Sequence, residues 1–359
     1  MTKKIIFSTG GTGGHILPSI NLMKHFFEKG YNVLMVTDIR GKKFIKNYPE
    51  FKSYVLKSST TTNKNIFKKI VSLLIIFYSI LKSIIILKRE KPDLVFGFGG
   101  YVSFPISFAA KILNLPLFIY ENNIILGRAN RFLSKFSDKI LIAKEVEVNF
   151  PKKYKEKTYE VGHILDKKII EFSKPIKNLN ENSVKLLVLG GSQGAEIFGK
   201  VIPSVVKAIK QKGIEIEINQ QCLSHQKEEI ANFYFENKIK NYLFNFERNI
   251  LGLISKSDLA ITRCGASTTS ELIHTGTPFI AIPLMNSIDN HQYLNAKYYE
   301  NKGCCWILEE KNLNINNLSN LIMETIKNKN KLENASENMK KIYRKNVYHD
   351  VEKYVKEVI

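Results

Sequence analysis

Three glycine clusters, each directly after a short apolar run, are the residues of this chain whose types and spacing point most directly to chemistry. They are Gly10-Gly11-Thr12-Gly13-Gly14, Gly97-Phe98-Gly99-Gly100-Tyr101 and Gly190-Gly191-Ser192-Gln193-Gly194. A glycine turn after a strand lets the backbone reverse tightly and exposes the amides that open the next helix. Those amides, with the helix dipole, attract an anion. One such turn often only closes a strand–helix corner; three at strand carboxyl ends predict a phosphate or diphosphate ligand. His15 follows the first cluster at a helix start. Its imidazole suits a general base near neutral pH, or simply a hydrogen bond to the loop, and residue type leaves both open. His25 and His349 fall in helical stretches without partners and read as surface or packing residues.

Two commoner phosphate sites are disfavoured. A dinucleotide G-x-G-x-x-G beginning at Gly11 needs glycine where Ile16 stands, and only Asp38 offers an acidic residue near the next strand end. A Walker-like run at Gly194–Val201 ends in Val201 rather than Ser or Thr. The four cysteines, Cys222, Cys264, Cys304 and Cys305, suit neither a disulfide framework nor zinc spacing, so Cys304-Cys305 reads as packed.

The elements that must position these loops form two similar series. Candidate strands are Ile5–Ser8, Val33–Thr37, Leu94–Phe96, Leu117–Tyr120 and Ile140–Ile142, then Leu186–Leu189, Ile214–Ile218, Tyr242–Phe244, Leu259–Thr262 and Phe279–Ile282. They are short, β-branched and mostly unalternating, as strands buried on both faces should be, and the gaps admit crossover helices. The stretch from Lys4 to Gly14 resembles that from Lys185 to Gly194: charged lead-in, apolar strand, glycine turn. This internal repeat predicts an α/β chain of two Rossmann-like domains with parallel sheets facing across a cleft. At 359 residues the length suits two domains, and 44% hydrophobic with 24% charged residues suits globular ones. The join is expected near Val161–Pro175, giving domains 1–161 and 162–340, with a helical tail 341–359 that could return to the first domain.

Charge is unevenly spread. The formal +21 is concentrated in residues 1–161, which hold 27 Lys and Arg against 11 Asp and Glu. An anionic partner is implied: nucleic acid, a membrane surface or a phosphorylated substrate. A basic RNA-binding protein would explain the total, but no RRM or KH signature accompanies it. Ile70–Leu87 is the most apolar segment, with Lys82 its one charge. A transmembrane span is disfavoured, because Lys82 lies mid-span, Ser72, Tyr78 and Ser79 dilute the run, and a strand follows at once. Lys64, Lys68, Lys69, Lys88 and Arg89 flank it, as suits a helix that dips into an anionic leaflet. Lys3-Lys4 lead straight into a strand and turn, so a cytosolic chain is expected.

Six ordered motifs resemble the MurG family, the UDP-N-acetylglucosamine:lipid I N-acetylglucosaminyltransferases of bacterial peptidoglycan synthesis. They are Gly10–His15, Phe98–Ser103, Glu121-Asn122-Asn123, Gly190–Ala195, Arg263–Glu271 and His291–Ala296. The resemblance implies a GT-B glycosyltransferase of family 28, with an acceptor-binding N-terminal domain and a donor-binding C-terminal domain. It implies that Glu271 holds the ribose hydroxyls, Phe246 lies against uracil, and Ser192, Gln193 and Thr268 hold the donor diphosphate. Ala266, His291, Gln292 and Asn295 would address the sugar, and Arg263 the leaving diphosphate. Thr12, Gly13, Gly14, Gly99, Gly100 and Tyr101 would grip the acceptor diphosphate, with His15 as base and Asn123 beside it. The implied partners are UDP-N-acetylglucosamine, lipid I and an anionic membrane surface, and not nucleic acid; the implied location is the cytoplasmic face of the bacterial inner membrane. Helix N-termini and Arg263 can stabilise the leaving group and no Asp-x-Asp is present, so no cofactor and no metal is expected. The family's Gly-Asn-Pro-x-Arg junction reads Gly162-His163-Ile164-Leu165-Asp166 here. A UDP-sugar 2-epimerase, or a transferase to another lipid, is the nearest rival reading.

Overall fold

The computed structural model describes residues 2–11, 13–59, 65–144, 150–172, 183–191, 195–247, 249–343 and 346–359. The chain forms two compact units, Met1–Asp166 with Arg344–Ile359, and Lys167–Tyr343. Among the described residues the first holds seven strands: β1 (Lys4–Ser8), β2 (Asn32–Thr37), β3 (Lys52–Val55), β4 (Leu94–Gly97), β5 (Leu117–Glu121), β6 (Lys139–Ile142) and β7 (Thr158–Glu160). Their order is β3-β2-β1-β4-β5-β6-β7, with every pairing parallel. The second unit holds β8 (Ser183–Leu189), β9 (Glu215–Gln221), β10 (Lys240–Phe244), β11 (Leu259–Thr262), β12 (Phe279–Ala281) and β13 (Cys305–Ile307). They are also all parallel, in the order β10-β9-β8-β11-β12-β13.

The repeat seen in sequence maps onto equivalent strands. β1 and β8 each sit where strand order reverses, between β2 and β4 in one sheet and between β9 and β11 in the other. Ligands of open parallel sheets bind at such reversals, outside the carboxyl ends of the strands. Three strands escape a sequence reading: β3, β7 and β13. All lie at sheet edges. An edge strand buries little, so Lys52–Val55 and Thr158–Glu160 carry mixed polar patterns, and Cys305–Ile307 is too short to show one. Central β1 instead buries Ile5, Ile6 and Phe7 completely, and the Phe7 ring stacks on Phe96 at 5.9 Å between centroids.

The apolar segment forms one long helix, Ile66–Glu90, crossing from β3 to β4. Only 28% of its most apolar 18-residue window is buried. Its buried residues are Ser72, Ser79 and Ser83, then Ile86, Leu87 and Glu90 in the last turns, and Ser79 Oγ donates to the Lys57 carbonyl at 2.8 Å. The helix packs beside Ser103–Ile112. The large residues Ile70, Leu73, Leu74, Phe77, Tyr78, Leu81 and Ile85 face outward.

Glu90 anchors the end of this helix. Its buried carboxylate accepts from Lys52 Nζ at 2.6 Å, from the Tyr54 hydroxyl at 2.5 Å and from Lys4 Nζ at 3.3 Å. Burial alone would raise its pKa; the hydrogen bonds from Lys52, Tyr54 and Lys4 outweigh burial and hold it at about 2, against an ordinary 4.5. A depressed carboxyl stabilises the fold above its unfolded pKa, and that contribution fades as pH falls from about 4.5 towards 2. Glu90→Gln should cost about 2 kcal/mol near neutrality. Thermal melts of both proteins should converge as pH drops through that window; a gap unchanged down to pH 2 would refute the assignment.

Gly162–Asp166, placed in the second domain by the sequence reading, belongs to the first unit. The reason is a hydrogen-bonded latch: the buried Tyr120 hydroxyl lies 3.0 Å from the Gly162 carbonyl oxygen and accepts from Ile164 N–H at 3.1 Å. The helix Val347–Lys356 also joins the first unit, burying Val347, Val351 and Val355. It corrects the reading of His25, which is buried with its Nε2 3.2 Å from Glu352 Oε2, a partner 327 positions away. All four cysteines are buried.

Candidate active site

In the first unit, the first two glycine clusters leave the carboxyl ends of neighbouring β1 and β4. They touch: a Cβ on Gly100 would stand 2.6 Å from the Gly10 carbonyl oxygen, so the approach requires glycine. Gly99, at φ +83°, lies against the His15 ring, where a Cβ would meet Cε1 at 3.3 Å and Nδ1 at 3.4 Å. His15 sits half-buried in the first turn of helix Gly13–Glu28, with Gly13 and Gly14 beside it. Tyr101 leads from the second cluster into helix Ser103–Ile112. Thr12 lies outside the described residues.

A third loop closes on the same place from β5. Buried Glu121 organises it: Oε1 accepts from Asn123 N and Nδ2, each at 3.0 Å, and Oε2 accepts from Gly127 N at 2.9 Å. Asn130 Nδ2 also donates to Glu121 Oε2 at 3.0 Å and neighbours Gly99. Asn122 Nδ2 donates to the Gly14 carbonyl at 3.3 Å, while its Oδ1 lies 2.8 Å from His163 Nδ1. The divergent junction thus reaches the first glycine cluster through Asn122. Asn130 and Asn122 went unnoticed in sequence as site residues, although Asn122 stands within the Glu121-Asn122-Asn123 motif.

In the second unit, Gly190 and Gly191 follow β8, and Gln221 braces them: Gly190 N donates to its Oε1 at 2.9 Å and its Nε2 donates to the Gly191 carbonyl at 3.2 Å. Gln221 Nε2 also reaches the Asn245 carbonyl at 3.0 Å, tying this loop to Phe246, whose ring is 73% exposed. Glu247 shapes the same loop, accepting from the Tyr242 hydroxyl at 3.0 Å and from Asn249 N at 2.7 Å. Ser192 and Gln193 lie outside the described residues.

The segment after β11 opens helix Ala266–Thr275. Thr268 is in its first turn and half-buried Glu271 stands three residues on, on the same face. The expected sugar-binding pair, Gln292 and Asn295, grips this segment's backbone. Gln292 Oε1 accepts from Cys264 N at 3.2 Å and Leu284 N at 3.0 Å, and Asn295 Nδ2 donates to the Cys264 carbonyl at 3.1 Å. His291 begins helix His291–Asn301, its Nδ1 2.8 Å from the Ile288 carbonyl oxygen. Arg263 is buried, with NH1 2.7 Å from Glu310 Oε2 and 3.1 Å from the Ile282 carbonyl. Its guanidinium also lies over the Phe198 ring at 5.0 Å. The expectation that Arg263 serves a diphosphate therefore meets a guanidinium already engaged by Glu310.

Residues 5–142 match the glycosyltransferase family 28 N-terminal domain, and residues 185–351 match its C-terminal domain. The chain belongs to glycosyltransferase family 28. A relative from Pelagibacter ubique, named UDP-N-acetylglucosamine–N-acetylmuramyl-(pentapeptide) pyrophosphoryl-undecaprenol N-acetylglucosamine transferase, is 34% identical, over 98% of this chain and 97% of its own length. One of the same name from Rickettsia bellii is 36% identical, over 94% and 95%. In fold, this family 28 chain is similar to the crystal structure of Acinetobacter baumannii MurG, with a TM-score of 0.79 at 23% identity, over 99% of both chains. That likeness extends the GT-B architecture to this pair of parallel-sheet units.

Proposed function

We propose that this glycosyltransferase moves N-acetylglucosamine from UDP-N-acetylglucosamine to the 4-hydroxyl of the muramyl sugar of lipid I, giving lipid II in peptidoglycan synthesis. The carrying observation is the likeness, along nearly the whole chain, to curated transferases of that name at 34% and 36% identity. In this reading the first unit takes the acceptor and the second the donor. The acceptor diphosphate rests on the glycine loops that end β1 and β4, at the amino end of helix Gly13–Glu28. His15 removes the hydroxyl proton as the oxygen bonds to the anomeric carbon. The C1–O bond breaks on the other face, its electron pair leaves with UDP, and the new linkage is β-1,4.

On the donor side, Glu271 accepts from the ribose hydroxyls and Phe246 covers uracil. Thr268 and the amino end of helix Ala266–Thr275, with Ser192 and Gln193, meet the diphosphate. That helix end supplies positive potential where charge develops, and the reading requires no resident metal. Arg263 enters as the residue that fixes its own loop through Glu310, and Gln292 and Asn295, which hold the backbone of Cys264, address the sugar in this reading. The test is UDP release by purified protein with and without a lipid I analogue. Release only with acceptor supports the transferase. Conversion of the UDP-sugar to its C2 epimer without acceptor would establish the rival reading.

The outward apolar face of helix Ile66–Glu90, with Lys68, Lys69, Lys82, Lys88 and Arg89 on the same helix, supports peripheral attachment to an anionic membrane, at the cytoplasmic face where such an acceptor is presented. Lys64 lies outside the described residues. Binding to vesicles should require anionic lipid and weaken with salt, and Phe77→Glu with Leu74→Glu should lower it about tenfold or more. Equal, salt-insensitive binding to neutral vesicles would refute this attachment.

A further inference from the structure

The first glycine cluster has an unassigned neighbour, at the end of β2. Asp38 is buried, with a side chain 5% exposed, and its carboxylate gathers four groups. Oδ2 accepts from Gly11 N at 3.2 Å and from Arg40 Nε and NH2 at 3.2 and 3.0 Å. Oδ1 accepts from the backbone N–H groups of Arg40 and Gly41 at 3.1 and 2.9 Å. Arg40 itself is 53% exposed. The pair is thus oriented, with its anionic end in the protein and its cationic end at the surface. The guanidinium belongs to the loop's surroundings: the nearest atom to a Cβ built on Gly11 would be Arg40 NH2, at 3.9 Å.

Two features need explaining together. A buried carboxylate beside an anion-binding loop repels the anion unless a cation offsets it, and here the offsetting cation is placed outermost. The two bonds to Asp38 use two of the five guanidinium N–H donors, leaving a fork whose planar geometry matches phosphate oxygens. A purely structural ion pair would not require the arginine to stand against the glycine turn, nor Asp38 to hold the turn's own Gly11 N–H. Holding both locks the distance between loop and guanidinium.

We infer that Arg40 is a further binding residue for the acceptor diphosphate, and that Asp38 is its positioning residue, clamping Arg40 and Gly11 into one anion site. The inference rests on the transferase reading above, and it assigns the cationic side of the acceptor site to a residue outside all the glycine motifs. The ligand class is a lipid-linked or free diphosphate.

The test uses the full chain and a lipid I analogue with a short prenyl chain, so that membrane attachment does not enter. Arg40→Ala should raise the acceptor KM about tenfold while leaving the KM for UDP-N-acetylglucosamine within about twofold. Arg40→Lys, which keeps the charge but loses the fork, should fall between. Inorganic diphosphate, used as a competitor, should inhibit Arg40→Ala more weakly than the wild type. An unchanged acceptor KM in a variant with a wild-type melting curve would overturn the inference. So would equal increases in both KM values, which would signal general loop damage. A wild-type protein that releases no UDP in response to acceptor would remove the transferase reading, and this inference with it.

Discussion

His15→Ala should lower kcat for acceptor-dependent UDP release by about 10² to 10⁴, the usual contribution of a positioned general base. Both KM values should move little, because the imidazole would act on a proton in flight rather than on bound substrate. The ring is well placed for such a role. It sits in the first turn of helix Gly13–Glu28, packed against Gly99, where a Cβ would meet the ring at 3.3 Å. Asn130 also lies beside Gly99, its amide held by Glu121. His15→Gln, which retains a polar side chain without a base, should be nearly as slow as alanine. If His15→Gln kept most of the wild-type kcat, the histidine would be a loop-bonding residue and the base would lie elsewhere.

Glu271→Ala should act on the other substrate. Two hydrogen bonds from ribose hydroxyls to an ionised carboxylate are worth enough together to raise the KM for UDP-N-acetylglucosamine about 100-fold. Acceptor KM should be unaffected, and direct calorimetry with UDP should show the same loss. A second readout separates recognition from folding: the wild type should reject a 2′-deoxyuridine donor strongly, and Glu271→Ala should treat both donors almost alike. Undiminished UDP affinity in the variant would remove Glu271 from the donor site. Its place favours the assignment, since Glu271 and Thr268 share a face of helix Ala266–Thr275, whose amino end opens beyond β11.

Much of this was legible in local pattern. Apolar runs without alternation mark β1, β4, β5, β8 and β11 because those strands are covered on both faces. Glycines after β1, β4 and β8 mark the loops because Gly11, Gly99, Gly100 and Gly191 take positive φ and Gly100 lies against the Gly10 carbonyl. The pairing of similar halves was visible because each half begins with the same strand and turn. The edge strands β3, β7 and β13 were not visible, since half-covered segments need no apolar run. Charge on the long helix suggested its surroundings, but its composition did not say which face turns in. Packing decided that: Ser72, Ser79 and Ser83 turn in, with Ser79 Oγ on the Lys57 carbonyl, and Phe77 and Leu74 are left outside.

By itself, then, the sequence determined the two parallel α/β units, the glycine loops after their strands and the ordered motifs that place the chain in family 28, all of which depend on neighbours in the chain or on residue type alone. Only the tertiary structure decided the partners. Arg263 is taken by Glu310, Gln292 and Asn295 by Cys264, and His163 by Asn122. Asp38 joins Gly11 to Arg40 from a strand end 27 positions beyond that glycine. A hydrogen bond is made between groups that folding brings within about 3 Å, and for partners tens of positions apart the sequence does not record that distance.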